Sequence, residues 1–172
     1  LDAAEAAEPA AVDAMRAQVA LGGQRPQAAA RLARRALDKA EADDRFEVMC
    51  QALEVLGQVA RLADLAAAER CFLRAYATAE RHGYELWRVR ALNELATIDV
   101  VDARDEDRLA AVRRAALATG ALATVANVDC RLTAMRVEHG DLEGALASAS
   151  ASVERSRRLR LPLLPKALMH LA

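Results

Sequence analysis

The segment Leu53-x-x-Leu56-Gly57 returns as Leu92-x-x-Leu95-Ala96, 39 residues later. The helix that follows repeats at the same interval: Arg35, Arg74 and Arg113 fall in register, as do Ala40, Ala79 and Ala118. Self-similarity at a fixed period of this size is the mark of a solenoid of helical pairs. Such stacks present extended binding surfaces and not catalytic pockets. The period therefore constrains fold and functional class together, while leaving the ligand open.

Composition agrees with helices throughout. Hydrophobic residues make up 54 % of the 172-residue chain but aromatic residues only 3 %, and alanine, roughly one residue in four, fills the difference. Alanine loses no side-chain entropy in a helix and lets helices approach closely. A net charge of −1 gives no electrostatic case for direct nucleic-acid contact or membrane-surface binding by this segment. No apolar run approaches the roughly 18 residues needed to span a bilayer, and Leu1-Asp2-Ala3-Ala4-Glu5 has neither region of a signal peptide. Cys50, Cys71 and Cys130 lack paired spacing and sit in apolar stretches, as expected of buried thiols in a reducing cytoplasm. The start without Met and the stop at Ala172 inside a promising helix suggest a single repeat domain, residues 1–172, excised from a longer protein.

Breakers divide the chain. A first helix is predicted over about Ala10–Leu21, ending at Gly22-Gly23, a pair suited to a left-handed turn. Pro26 opens a second that reaches about Ala42. Asp43-Asp44 is expected to cap a helix from Arg45 to about Leu62, and Asp64 the next, which ends at His82-Gly83. Glu85 to about Val101, Asp105-Glu106-Asp107 to near Gly120, Leu122 to His139, and Asp141 to Arg160 follow. Pro162 and Pro165 should break the chain before a last helix from about Lys166. No segment has the period-two pattern of a strand. In the second pair Leu53, Leu56, Gly57 and Ala60 share one face, and Ala68, Phe72 and Ala75 share a face of the partner helix. The small position recurs as Ala96 and Ala134, and Ala68 returns as Ala145.

This large/small order over helix pairs resembles the tetratricopeptide repeat family across nearly the whole chain. The period exceeds the family's 34 residues, the Trp and Tyr of the first helix are absent, and no Pro closes each repeat. The resemblance implies an all-α, right-handed superhelix of antiparallel helical pairs, four pairs and the start of a fifth. The phrases Ala79-Glu-Arg-His-Gly-Tyr84 and Arg90-Ala-Leu-Asn-Glu-Leu-Ala96 are similar to the repeat region of large ATP-binding LuxR-type (MalT-like) bacterial transcription regulators. There the repeats lie between an ATPase module and a helix-turn-helix and sense an inducer or partner. The implied function is a non-catalytic sensor or scaffold binding a protein or small-molecule inducer; the alternative is a free-standing adaptor for a peptide or partner protein.

Candidate chemistry is sparse. Gly22-Gly23 lacks the lysine of a phosphate-binding loop. His82 and His139 each precede a Gly, as ordinary helix ends do. The acidic groups at Asp43-Asp44, Asp99 with Asp102, and Asp105-Glu106-Asp107 suit helix starts better than acid–base work. No enzyme, cofactor or metal site is expected. Glu54, Gln58, Asn93, Glu94, Thr97 and Asn127, with Trp87, are the expected contacts of a concave groove. Phe72 reads as core, and Tyr84 with Trp87 as packing or groove. Arg35, Arg74 and Arg113 read as an exposed face paired with acids of their own helices. Arg155, Arg157, Arg158 and Arg160 are candidate contacts for an anionic partner. Leu161, Leu164, Leu168 and Leu171 would make the last helix an apolar end through which two copies could pair.

Overall fold

The computed structural model describes residues 9–99 and 106–171. Over these the chain is all-helical, with no strand: α1 (Ala10–Gly22), α2 (Pro26–Ala42), α3 (Phe46–Ala60), α4 (Leu65–His82), α5 (Glu85–Asp99), α6 (Glu106–Ala118), α7 (Leu122–Glu138), α8 (Leu142–Arg158) and α9 (Leu164–Leu171). The chain forms two compact units, Leu1–Ala91 and Leu92–Ala172. Within each, helices pack on their neighbours in sequence, as in a helical repeat array. The predicted segment ends at Leu1–Glu5, Val101 and Ala172 lie outside the described residues, as do Asp102 and Asp105.

One turn is used over and over. Arg25, Arg45 and Tyr84 in the first unit, and Ala121, Asp141 and Leu161 in the second, each donate their backbone N–H to the carbonyl five residues back, at 2.8–2.9 Å. The residue just before each donor is left-handed: Gln24, Asp44, Gly83, Gly120, Gly140 and Arg160, with φ between 51° and 77°. This is the Schellman closure, which satisfies carbonyls orphaned at a helix end. Here it also reverses the chain in so few residues that the next helix must run back along the last.

Two expectations fail at these turns. The left-handed residue after α1 is Gln24, not a glycine: Gly22 continues the helix and Gly23 has φ −82°. The closing bond from Arg25 to Ala20 places the left-handed position by geometry, whichever residue stands there. Asp43 and Asp44 likewise end α2 instead of capping α3, whose N-cap is Arg45 with no side-chain bond. Asp64 and Asp141 do cap as expected, accepting the N–H of Ala67 and Gly144 at 2.9 Å. Pro165 lies within the first turn of α9 instead of before it, where its missing N–H costs nothing.

The core of the first unit is made of small residues. Ala14 and Ala17 of α1 and Ala29, Ala33, Ala36 and Ala40 of α2 are completely buried. Each contributes only about 0.8 kcal/mol of methyl burial, so close backbone approach matters more than area. Larger groups enter at α3 and α4, where Leu53, Val55 and Phe72 are buried. Gly57 makes that crossing possible: a Cβ there would overlap the Phe72 ring. In the second unit Leu109, Val112, Val128, Leu132 and Met135 form one cluster with Ala96, and Cys130, Val153 and Ala167 another.

Two stability predictions follow from these backbone features. Gly57→Ala would gain about 1 kcal/mol of helix propensity, but forcing a fully buried ring aside costs about 1–3 kcal/mol. A net loss is expected, read as a lower midpoint in urea unfolding. Gln24→Gly removes the left-handed penalty of a non-glycine residue and should stabilise by about 0.5–1 kcal/mol, seen as a rise in Tm.

Candidate binding surfaces

Charge pairing between helices occupies most of the arginines singled out by the repeat. Arg35 donates its Nε (2.8 Å) and an Nη to Asp13, and Lys39 adds a bond at 2.8 Å. Asp13 is fully buried on α1, so the α2 cations are its solvent. The Arg35 hydrogen bond is the largest influence and holds the Asp13 carboxyl down at about 2, against burial, which raises it. Arg74 of α4 pairs with Glu41 of α2, both at the surface. Arg113 of α6 and Arg155 of α8 grip buried Asp129 of α7 from either side, each at 2.6 Å. The ladder positions thus join different helices, in place of the same-helix pairs expected. An interhelical clamp needs the arginine stem to reach across the pair, which helix periodicity alone does not reveal.

The expected groove residues are placed on α3, α5 and α7, several of them inside the protein. Glu54, Asn93 and Glu94 are buried. Glu54 accepts from Arg90 at 2.7 Å and from Gln58 at 3.3 Å. Trp87 donates its Nε1 to Glu47 at 3.2 Å, and the Arg90 guanidinium lies 4.4 Å over its ring. In the second unit the Asn93 carbonyl accepts from the Thr97 hydroxyl and from Arg131, both at 2.8 Å. Asn127 is half-buried on α7. Tyr84 is half-buried and Phe72 fully buried. Of the basic stretch, Arg155 is held by Asp129, whereas Arg157, Arg158 and Arg160 are exposed.

The thiols and imidazoles have structural surroundings. All three cysteines are free. Cys50 is buried, its Sγ 3.6 Å from the Ala75 carbonyl, and burial pushes its thiol up to about 11. Cys130 is buried with its Sγ 3.1 Å from Ser152 Oγ, and Cys71 is half-buried. His82 stacks on Phe46 with centroids 3.6 Å apart, and His139 terminates α7. Among the described residues no group of His, Cys, Asp and Glu could hold a metal ion, and no helix is long and apolar enough to cross a membrane.

One apolar surface was not anticipated. A groove of about 560 Å³ runs along α1 and α2, lined by Val12, Met15, Val19, Ala28 and Leu32, with Arg16 and Arg25 beside it. Met15 is 63 % and Val19 64 % exposed. α1 therefore has two apolar faces: small residues, Ala10, Ala14 and Ala17, turned into the core, and large ones turned outward. Val12, Met15 and Val19 stand at i, i+3 and i+7, a visible signal, although spacing alone does not say that the stripe is uncovered. Leu168 and Leu171 of α9 are also exposed, while Leu161 and Leu164 are partly buried.

Comparison of the chain with protein-family models, with characterised proteins and with solved structures finds no match.

The Asp13 clamp carries a pH signature. Its carboxyl titrates near 3.8 when unfolded and at about 2 when folded, so its contribution is complete above pH 4 and disappears as pH falls from about 4 to 2. Asp13→Asn should lower stability by about 2 kcal/mol at neutral pH. In thermal melts the gap between variant and wild type should close toward about pH 2; a gap that stays constant would contradict the clamp.

Proposed function

We propose that this chain is a non-catalytic binding module, and that α1 and α2 dock an amphipathic helix of a partner protein. The observation that carries this reading is the outward stripe of Val12, Met15 and Val19 beside Leu32. Isolated exposed apolar residues are common on protein surfaces, but a continuous concave stripe at helical spacing matches helix-in-groove recognition. Arg16 and Arg25 flank the groove and no acidic side chain among the described residues lines it, so the favoured partner carries acidic residues beside its apolar face. The expected role as sensor or scaffold of a LuxR-type regulator rests on the phrases Ala79–Tyr84 and Arg90–Ala96. Sequencing the flanking coding region tests that placement, since it requires a phosphate-binding loop upstream and a helix-turn-helix downstream.

The docking itself is tested by titrating the protein with two helical peptides of identical leucine stripe, one flanked by Glu and one by Lys. The Glu peptide is expected to bind more tightly, and Val19→Asp should weaken it by at least tenfold, about 1.4 kcal/mol. Equal affinity for the two peptides, or no effect of Val19→Asp, overturns the proposal. So would a homodimer in sedimentation that Val19→Asp dissolves, because the groove would then belong to a second copy.

A further inference from the structure

The second unit contains a cavity of about 330 Å³ bounded by α6, α7 and α8, independent of the groove on α1 and α2. Its polar wall is made of Arg113, Arg114, Arg136, Asp129 and Ser148, and its remaining wall of Leu132 and alanines. The arginines differ in how they are engaged. Arg136 is fully committed: Nε and Nη2 go to Glu106 at 2.8 and 2.5 Å, and Nη1 goes to the Gly144 carbonyl and Ser148 Oγ at 3.0 and 2.7 Å. Arg113 uses only its Nε, on Asp129, so both terminal nitrogens remain available. Arg114 is exposed and has no ion-pair or hydrogen-bond partner among the described residues.

The local charge is positive. Arg113, Arg114, Arg136 and Arg155 stand against Asp129, Glu106 and the more distant Asp141, 3.9 Å from Arg136. Asp129 is already gripped from both sides, so it orients Arg113 without neutralising Arg114. A guanidinium fixed through Nε by a buried carboxylate is a preorganised fork, and its free edge suits two oxygens of a carboxylate or phosphate. The volume lies at the lower end of small-molecule sites, and the mixed wall leaves room for an apolar body behind the charged head.

We propose that this cavity binds a small organic oxyanion, a phosphate or carboxylate head on a compact apolar body, with Arg113 and Arg114 as its ligands. Arg136 and Asp129 position the wall and do not contact the anion. Phenyl phosphate, benzoate and inorganic phosphate are the probes, titrated calorimetrically into the full chain. Binding of phenyl phosphate or benzoate at millimolar concentration is expected, and whichever is tighter identifies the head group. Inorganic phosphate should bind more weakly, lacking the apolar body.

Arg114→Ala should weaken the preferred probe by about tenfold, the scale of one charge-assisted hydrogen bond, with Tm unchanged. Arg157→Ala, exposed on α8 outside the cavity, should leave binding unaltered. The proposal is overturned if neither organic probe binds, if Arg157→Ala weakens binding as much as Arg114→Ala, or if Arg114→Ala has no effect. It also fails if inorganic phosphate binds as tightly as the organic anions, since the cavity would then add nothing to surface charge.

Discussion

The arrangement depends on helices meeting through side chains that barely exist. Between α1 and α2 the contact is alanine on alanine, with six of these residues completely buried. Such a surface is smooth, and smooth surfaces slide. Alanine provides dispersion at short range but few ridges to fix register. The buried carboxylate of Asp13, held by Arg35 and Lys39, supplies what the alanines lack, because a one-turn slip would leave a charge in the core without its cations. A buried ion pair is weak evidence of stability in general, but fixing register is the best-attested use of one.

The second unit reaches a related solution by different means. Its core has branched and long side chains, Leu109, Val112, Val128, Leu132 and Met135, so packing itself can specify the crossing. Asp129 nevertheless sits buried between two arginines, and Arg136 ties α7 to both α6 and α8. The two units therefore share a device at an equivalent position in the repeat: Asp13 and Asp129 lie about three periods apart, and each is held by a cation 26 residues further on, Lys39 and Arg155. Asp13 lies on the first helix of the first pair and is gripped from one side; Asp129 lies on the first helix of the fourth pair and is gripped from both.

Much of the architecture was readable from residues whose chemistry is local. Pro26, Asp64, Gly83, Gly120, Gly140 and Asp141 mark helix boundaries because each acts on its own backbone. The small position at Gly57 was readable as well, and the Phe72 ring explains its size. Where the outcome depended on a distant partner, sequence reasoning had nothing to grip. Gln24 and Asp44 are left-handed because a hydrogen bond closes around them, not because of what they are. Glu54, Asn93 and Glu94 were chosen for their helical face, but whether a face is open or covered depends on the adjacent helix, and these three are covered. The stripe on α1 is the converse: its spacing was plain and its exposure was not.

The cysteines give this protein an internal clock. Each unit has one fully buried thiol, Cys50 in the first and Cys130 in the second. An alkylating reagent cannot reach either until the surrounding helices part, so each labelling rate measures how often its own unit opens. Half-buried Cys71 reacts ahead of both and can be blocked beforehand. Without any engineered probe, the chain can thus report whether its two halves breathe together or separately.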